Sequence, residues 1–215
     1  MKEIHFSDET WDILTRVIDC SNSSIQIIKL NEMDGPSKEH SMRVSMLATQ
    51  FGAYNDIPHK DRIILGYSGL FHDLGKTDKS ISYLLSKTDL SSEELKQVKA
   101  HMDYGRELIR EFYISDVMKV TMRVHESKNN PYPRKAQDTN PTNTQTKREN
   151  DPRIVELGQI LALADMYDRI VKPSYNGNKP PNSIGELEAA IKSDFTGDPR
   201  YITNILKHLN PLHLQ

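Results

Sequence analysis

Gly69-Leu70-Phe71-His72-Asp73-Leu74-Gly75-Lys76 sets a histidine and an aspartate side by side in an otherwise apolar frame. An imidazole or a carboxylate is destabilising in such surroundings unless a metal or a hydrogen-bonding partner satisfies it. Upstream, Ile63, Ile64, Tyr67, Leu70 and Phe71 recur at helical spacing from about Lys60, so the doublet reads as the end of a helix. Neighbouring helical residues point roughly 100° apart, so His72 and Asp73 reach one centre only where the helix stops or meets it obliquely. Gly75 fits such an end.

Further residues of the same chemical type follow in helical frames on either side. His40 shares a face with Val44, Leu47, Ala48 and Phe51, after an interruption at Asp34-Gly35-Pro36-Ser37. Ser37 is the expected N-cap there, with the helix starting near Lys38. Ser91-Ser92-Glu93-Glu94 is a capping-type start for one helix holding His101 and running into Leu108-Ile109. Val117, Val120 and Val124 lead to His125, and Leu161-Ala162-Leu163-Ala164-Asp165-Met166-Tyr167-Asp168 embeds Asp165 in a helix from about Ile154 to Val171. The N-terminal part reads as helix over 8–30 with a polar break at Ser21-Asn22-Ser23, and closing helices are expected near Ile184–Ser193 and Pro199–Leu209. Between Ser127 and Asp151 the chain turns to Asn, Thr, Pro, Lys and Gln and reads as a long polar loop.

These elements predict an all-α, single-domain helical bundle with a di-metal site at its centre, formed by His40, His72, Asp73, His101, His125 and Asp165. Residues 1–35 form an N-terminal helical extension, and 36–215 the main domain with its polar loop at 127–152. Imidazole and carboxylate suit divalent ions: iron or manganese first, with zinc, nickel and magnesium also able to bind. A carboxylate has two oxygens, so Asp73 can bridge two ions while the imidazoles and Asp165 take the outer positions. Such a pair can hold a bridging hydroxide and clamp a phosphoester. Lys76, one helical turn beyond Asp73, is near enough to meet a phosphate as a point charge. Arg43 serves either a phosphate or an ion pair with Glu39, and Asp168 either orients a ligand histidine or binds backbone. His5, His59, His208 and His213 belong to no pattern and read as ordinary core or surface residues.

Composition bounds the rest. Of 215 residues, 36% are hydrophobic and 27% charged, as in a surface-rich helical protein. No run of about 18 apolar residues is present to span a membrane. The N-terminus lacks the basic-then-apolar order of a signal peptide, and a cytoplasmic location is expected. Cys20, the single cysteine, cannot form an internal disulfide and reads as a small buried residue in a reducing compartment. A net charge of -2 argues against a partner of polymeric nucleic acid but leaves room for a local basic pocket. A homodimer stays open.

At these residues the chain resembles the HD superfamily of metal-dependent phosphohydrolases, whose pattern is a His, a later His-Asp, further His residues and a closing Asp on a helical bundle. It is most similar to the HD-GYP branch, in the frames His40-Ser41-Met42-Arg43-Val44, Phe71-His72-Asp73-Leu74-Gly75-Lys76, Leu90-Ser91-Ser92-Glu93-Glu94, His101-Met102-Asp103-Tyr104-Gly105 and Ile160–Asp168. The resemblance implies a phosphodiesterase acting on small anionic phosphoesters, chiefly cyclic dinucleotides of the cyclic di-GMP type. Asp73 and Lys76 would be its catalytic residues, and Lys76, Arg43 and Lys172 its substrate contacts. Departures accompany it. Val124-His125-Glu126 stands where the branch has two successive histidines and a Glu, and Pro131-Tyr132-Pro133 where it has Gly-Tyr-Pro. Pro36 replaces a Glu that helps some members hold a third metal, and Lys172-Pro173-Ser174-Tyr175-Asn176 replaces an Arg-Pro-Tyr-Lys segment. Arg134, Lys135, Lys147 and Arg148 form either a lid or a solvated loop. Two other functions use the same ligand order: a mixed-valence di-iron oxygenase, and a catalytically inactive metal-binding module.

Overall fold

Side-chain caps decide where the helices of this chain begin, and the cap positions place the metal-type residues. The structure, a computed structural model, describes residues 6–21, 25–87, 89–110, 115–132, 151–172 and 179–209. Helices α1 (Asp8–Ser21) and α2 (Ile25–Glu32) occupy the region read as one interrupted helix. Helix α3 (Gly35–Tyr54) begins earlier than expected, because Asp34 and not Ser37 is the N-cap. Asp34 Oδ1 accepts the Ser37 N–H at 2.8 Å, and Ser37 Oγ donates to Asp34 Oδ2 at 2.8 Å. Pro36 is at home in that first turn, where its missing N–H would have had no helical partner.

Helix α4 (His59–Phe71) ends at the doublet as expected. His72 still has helical dihedrals, but Asp73 (φ -102°, ψ 6°) opens a 3-10 turn over Leu74–Thr77. Gly75 does not serve as a left-handed helix end. It lies inside that 3-10 turn, where a Cβ would stand 1.9 Å from the His101 carbonyl oxygen. Glycine is required there because another backbone passes against it.

A short α5 (Lys79–Ser82) and a second 3-10 turn (Tyr83–Ser86) lead to α6 (Ser92–Lys99). Ser91 and Glu94 form the expected capping box, each accepting the other's backbone N–H. The helix does not run unbroken through His101: it stops at Ala100, and α7 (His101–Arg110) starts anew. The His101 ring explains the break. Its Nδ1 lies 2.7 Å from the Val98 carbonyl oxygen, an acceptor that an uninterrupted helix would give to the Met102 N–H.

The chain closes with α8 (Ser115–Thr121), a turn carrying His125, α9 (Pro152–Val171), α10 (Ile184–Lys192) and α11 (Pro199–His208). The architecture is all-α. Among the described residues there is no strand, only an isolated bridge between Lys128 and Phe195. One apolar cluster gathers Val44, Leu47, Ala48 and Phe51 of α3 against Leu157, Leu161, Ala164 and Met166 of α9, with Leu187 and Ile205 of the closing helices. A second joins Ile13 and Val17 of α1 to Leu70, Phe71, Leu74, Ile109 and Val117, so α1 packs into the body of the bundle. Arg153 ties α9 to its neighbours, reaching Asp61 at 2.7 Å and Asp116 at 2.7 Å.

Asp73 is thus flanked by side chains of the second cluster and Asp165 by those of the first. No helix among the described residues is long and apolar enough to cross a membrane. His59 pairs with Glu9 at 3.1 Å, and His208 packs on Tyr54 at 4.4 Å between ring centroids. The readings of His5, His213, the Cys20 side chain, Arg134, Lys135, Lys147, Arg148 and the 173–176 segment fall outside what the structure describes.

Candidate metal centre

Five separate stretches of chain bring the six metal-type residues to one place. His40 comes from the first turns of α3, His72 and Asp73 from the end of α4, and His101 from the start of α7. His125 comes from the turn after α8, and Asp165 from the middle of α9. All but His40 are buried. Two groups could each hold an ion: His40, His72 and Asp73, and then Asp73, His101 and His125, with one ligand atom per residue lying within 4.8 Å of the others. Asp73 belongs to both. Asp165 lies across them, with Oδ1 3.1 Å from His40 Nε2 and 3.7 Å from His72 Nε2, and Oδ2 3.7 Å from His125 Nδ1.

Hydrogen bonds fix the tautomers. The Gly69 carbonyl accepts from His72 Nδ1 at 2.8 Å and the Val98 carbonyl from His101 Nδ1 at 2.7 Å. A carbonyl can only accept, so both rings carry their proton on Nδ1 and turn an Nε2 lone pair inward. His40 Nδ1 likewise donates to Asp168 Oδ2 at 2.7 Å, the carboxylate–histidine arrangement that orients ligand rings. Its Nε2 then points at Asp165 Oδ1.

What remains unpaired fits a metal pair. His72 Nε2, Asp73 Oδ1, His101 Nε2 and both ring nitrogens of His125 are buried with no hydrogen-bond partner. Leaving one such atom unpaired destabilises a fold by about 1–3 kcal/mol, and a cation would relieve that by taking the Asp73 oxygen and one nitrogen lone pair from each of the three rings. Three imidazole nitrogens and a carboxylate oxygen form a borderline-to-hard donor set.

The site's electrostatics follow from burial and charge. Burial alone would raise the Asp73 pKa, but positive charge around it, including Lys76 and His40, outweighs that and holds the carboxyl well below its usual range. Asp165 is also held well below, burial being overcome by Arg169, Lys128 and His40. Burial pushes His101 down to about 4 and also lowers His72 and His125, so these rings stay neutral and ready to ligate. His40 moves the other way: burial opposes its charge, yet hydrogen bonds to Asp165 and Asp168 raise its pKa.

The basic residues divide in an unexpected way. Lys76 Nζ reaches Asp73 Oδ2 at 2.5 Å, beside the centre as the sequence suggests. Arg43 gives most of its guanidinium to Asp168, at 2.6 and 3.0 Å, with Glu39 more distant at 3.7 Å. Lys172 stands just past α9, its N–H donating to the Asp168 carbonyl. Sequence reasoning missed Lys128, whose Nζ lies 2.9 Å from Asp165 Oδ2, and Arg169, whose Nε lies 2.7 Å from Asp165 Oδ1. The one signal for Arg169 was its position one turn beyond Asp165; Lys128, in a polar segment, gave none. Tyr132 was also unread in this role. Its ring stacks on His125 at 4.3 Å and stands edge-on to His101 at 6.2 Å, screening that side of the centre.

Comparison with known proteins agrees with this geometry. A family model described as HD domain matches residues 38–170, a span that contains all six residues of the centre. No curated protein matches the chain.

Proposed function

The chain belongs to the HD-domain family, and from that premise we propose that it is a metal-dependent phosphohydrolase, a phosphodiesterase whose substrate class is cyclic dinucleotides of the cyclic di-GMP type. The observation that carries this reading is the sharing of Asp73 between two adjacent ligand groups in which His72, Asp73, His101 and His125 each carry a buried atom without a hydrogen-bond partner. His40, His72 and Asp73 would hold one divalent ion and Asp73, His101 and His125 the other, with Asp165 completing the set. When bound, such a pair acidifies a water for attack and neutralises charge on the phosphate oxygens.

The protein's own groups supply position and shielding. Asp168 keeps the His40 proton on Nδ1, and the Gly69 and Val98 carbonyls do the same for His72 and His101. Tyr132 covers His125 and limits access of bulk water from that side. Lys76 joins the centre to a cleft of about 390 Å³ lined by Glu32, Met33, Asp34, Ser37, Thr77 and Leu85. That volume lies within the range of small-ligand sites, about 300–1,000 Å³. Lys76 would steady the scissile phosphate. A cytoplasmic location, a main domain from residue 36 and small-molecule partners belong to the same reading.

A substrate panel tests it. Metal-reconstituted protein is assayed with cyclic di-GMP, cyclic GMP-AMP and simple phosphoesters, with and without oxygen. Hydrolysis under anaerobic conditions, with cyclic dinucleotides preferred, is the expected result. Product formed only in the presence of oxygen would overturn the hydrolase reading in favour of an oxygenase.

A further inference from the structure

Three cationic side chains sit on the carboxylate oxygens that a metal pair needs. Lys76 holds Asp73 Oδ2, Lys128 holds Asp165 Oδ2 and Arg169 holds Asp165 Oδ1. They arrive from three segments: the 3-10 turn after α4, the bridge at Lys128, and the last turn of α9. Both carboxylates are fully buried, whereas the Lys76 and Lys128 side chains keep 14% of their surface and Arg169 keeps 45%. The cations therefore form the solvent-facing rim of the centre.

The position of Lys128 is built into the chain path. The Ser127 carbonyl accepts from Thr196 N–H at 3.1 Å and the Asn129 N–H donates to the Asp194 carbonyl at 3.0 Å. This pins the backbone on both sides of Lys128 to the loop after α10. Arg169 is held one helical turn beyond Asp165, with its Nε on Asp165 Oδ1 at 2.7 Å.

Metal ions and these cations compete for the same oxygens. Ions seated on Asp73 and Asp165 would displace the three cations from their partners and leave them next to further positive charge. Like charges at this range repel unless an anion comes between them. We propose that Lys128 and Arg169, with Lys76, form a phosphate-binding rim that is released by metal loading, so that metal and phosphate bind cooperatively. The arginine fork suits two oxygens of one phosphate, and the lysines act as point charges beside it. The inference rests on the phosphohydrolase reading of this centre and adds Lys128 and Arg169 as specificity-determining contacts.

Linkage gives the test, because phosphate must raise metal affinity by the factor by which metal raises phosphate affinity. Manganese is titrated calorimetrically into the metal-depleted full chain, with and without inorganic phosphate. The unaltered protein should bind manganese at least about fivefold more tightly with phosphate present. In the Lys128→Gln/Arg169→Gln double variant, manganese should bind more tightly than in the unaltered protein without phosphate, since competing cations are gone. The gain from phosphate should shrink below about twofold. Each single variant should fall between, which decides the matter if the double variant does not fold. A double variant that keeps the full phosphate gain, or whose phosphate-free manganese affinity is not raised, overturns the proposal. Cooperative binding without hydrolysis of any phosphoester would instead sink the phosphohydrolase reading and leave the rim standing.

Discussion

Asp168 Oδ2 lies 2.7 Å from His40 Nδ1, and that contact decides which nitrogen His40 turns toward the two buried carboxylates. Asp168→Asn keeps the shape but can present an N–H where the carboxylate accepts, which frees the His40 ring to adopt the other tautomer. Metal affinity is expected to fall by about 10–100-fold, as for other groups that orient a ligand histidine. Metal titration of the variant checks this, with circular dichroism confirming retained helix. An unchanged affinity would remove Asp168 from the site.

Gly75 and His101 make a second dependence. A Cβ at position 75 would meet the His101 carbonyl oxygen at 1.9 Å and the Gly105 nitrogen at 2.5 Å, both of them backbone atoms. Gly75→Ala must push α7 away and carry His101 off Asp73. Overpacking of this kind destabilises by about 1–3 kcal/mol, or roughly 3–10 °C in Tm for a chain of this size. Gly105→Ala is the control, since a Cβ there would lie an ordinary 3.4 Å from its nearest neighbour, the Gly75 nitrogen. Equal melting of the two variants would contradict the close-approach explanation.

These two contacts mark the boundary of what the sequence could tell. The His72-Asp73 doublet and Asp165 were legible because they interrupt apolar frames, His40, His101 and His125 because they follow in order in helical frames on either side, and the all-α class because those frames repeat at helical spacing. Asp and Ser are both N-cap residue types, so positions 34 and 37 both fit the pattern; Pro36, which is well placed in a first helical turn, favours Asp34 and was not weighed that way. The break before His101 depends on a ring taking the Val98 carbonyl, and the need for Gly75 depends on a helix from far along the chain. Neither leaves a local pattern. Lys128 sits in a segment without periodicity, and only the tertiary path brings it to Asp165.

Acid should destabilise the metal-free protein. Burial lowers the pKa of His72, His101 and His125, with His101 held at about 4 against an ordinary 6.5. Between those values the unfolded chain binds more protons than the folded one, so stability rises with pH and is lost as pH falls through the window. His40, raised, works in the opposite sense: its contribution is present below 6.5 and is lost as pH rises through its folded value. Three lowered histidines against one raised give a net loss. Metal-free protein should melt several degrees lower near pH ~5 than near pH ~7. A Tm that is flat or higher in acid would contradict the assignment of neutral, buried rings.

Lys76→Gln separates substrate contact from metal binding. Loss of one hydrogen bond to a charged phosphate corresponds to about 1.5–3 kcal/mol, hence roughly 10–100-fold in kcat/KM. Elemental analysis of the same preparation should find its metal retained. Full activity in this variant would exclude Lys76 from the substrate site.

The central claim is that Asp73 is shared by two metal positions. Metal content per chain, measured on reconstituted protein and on two variants, tests it most directly. The unaltered protein should hold two divalent ions, His125→Ala one, and Asp73→Ala none, with the helical fold intact in all three. A single ion in the unaltered protein, or an Asp73→Ala variant that still holds one, would contradict it.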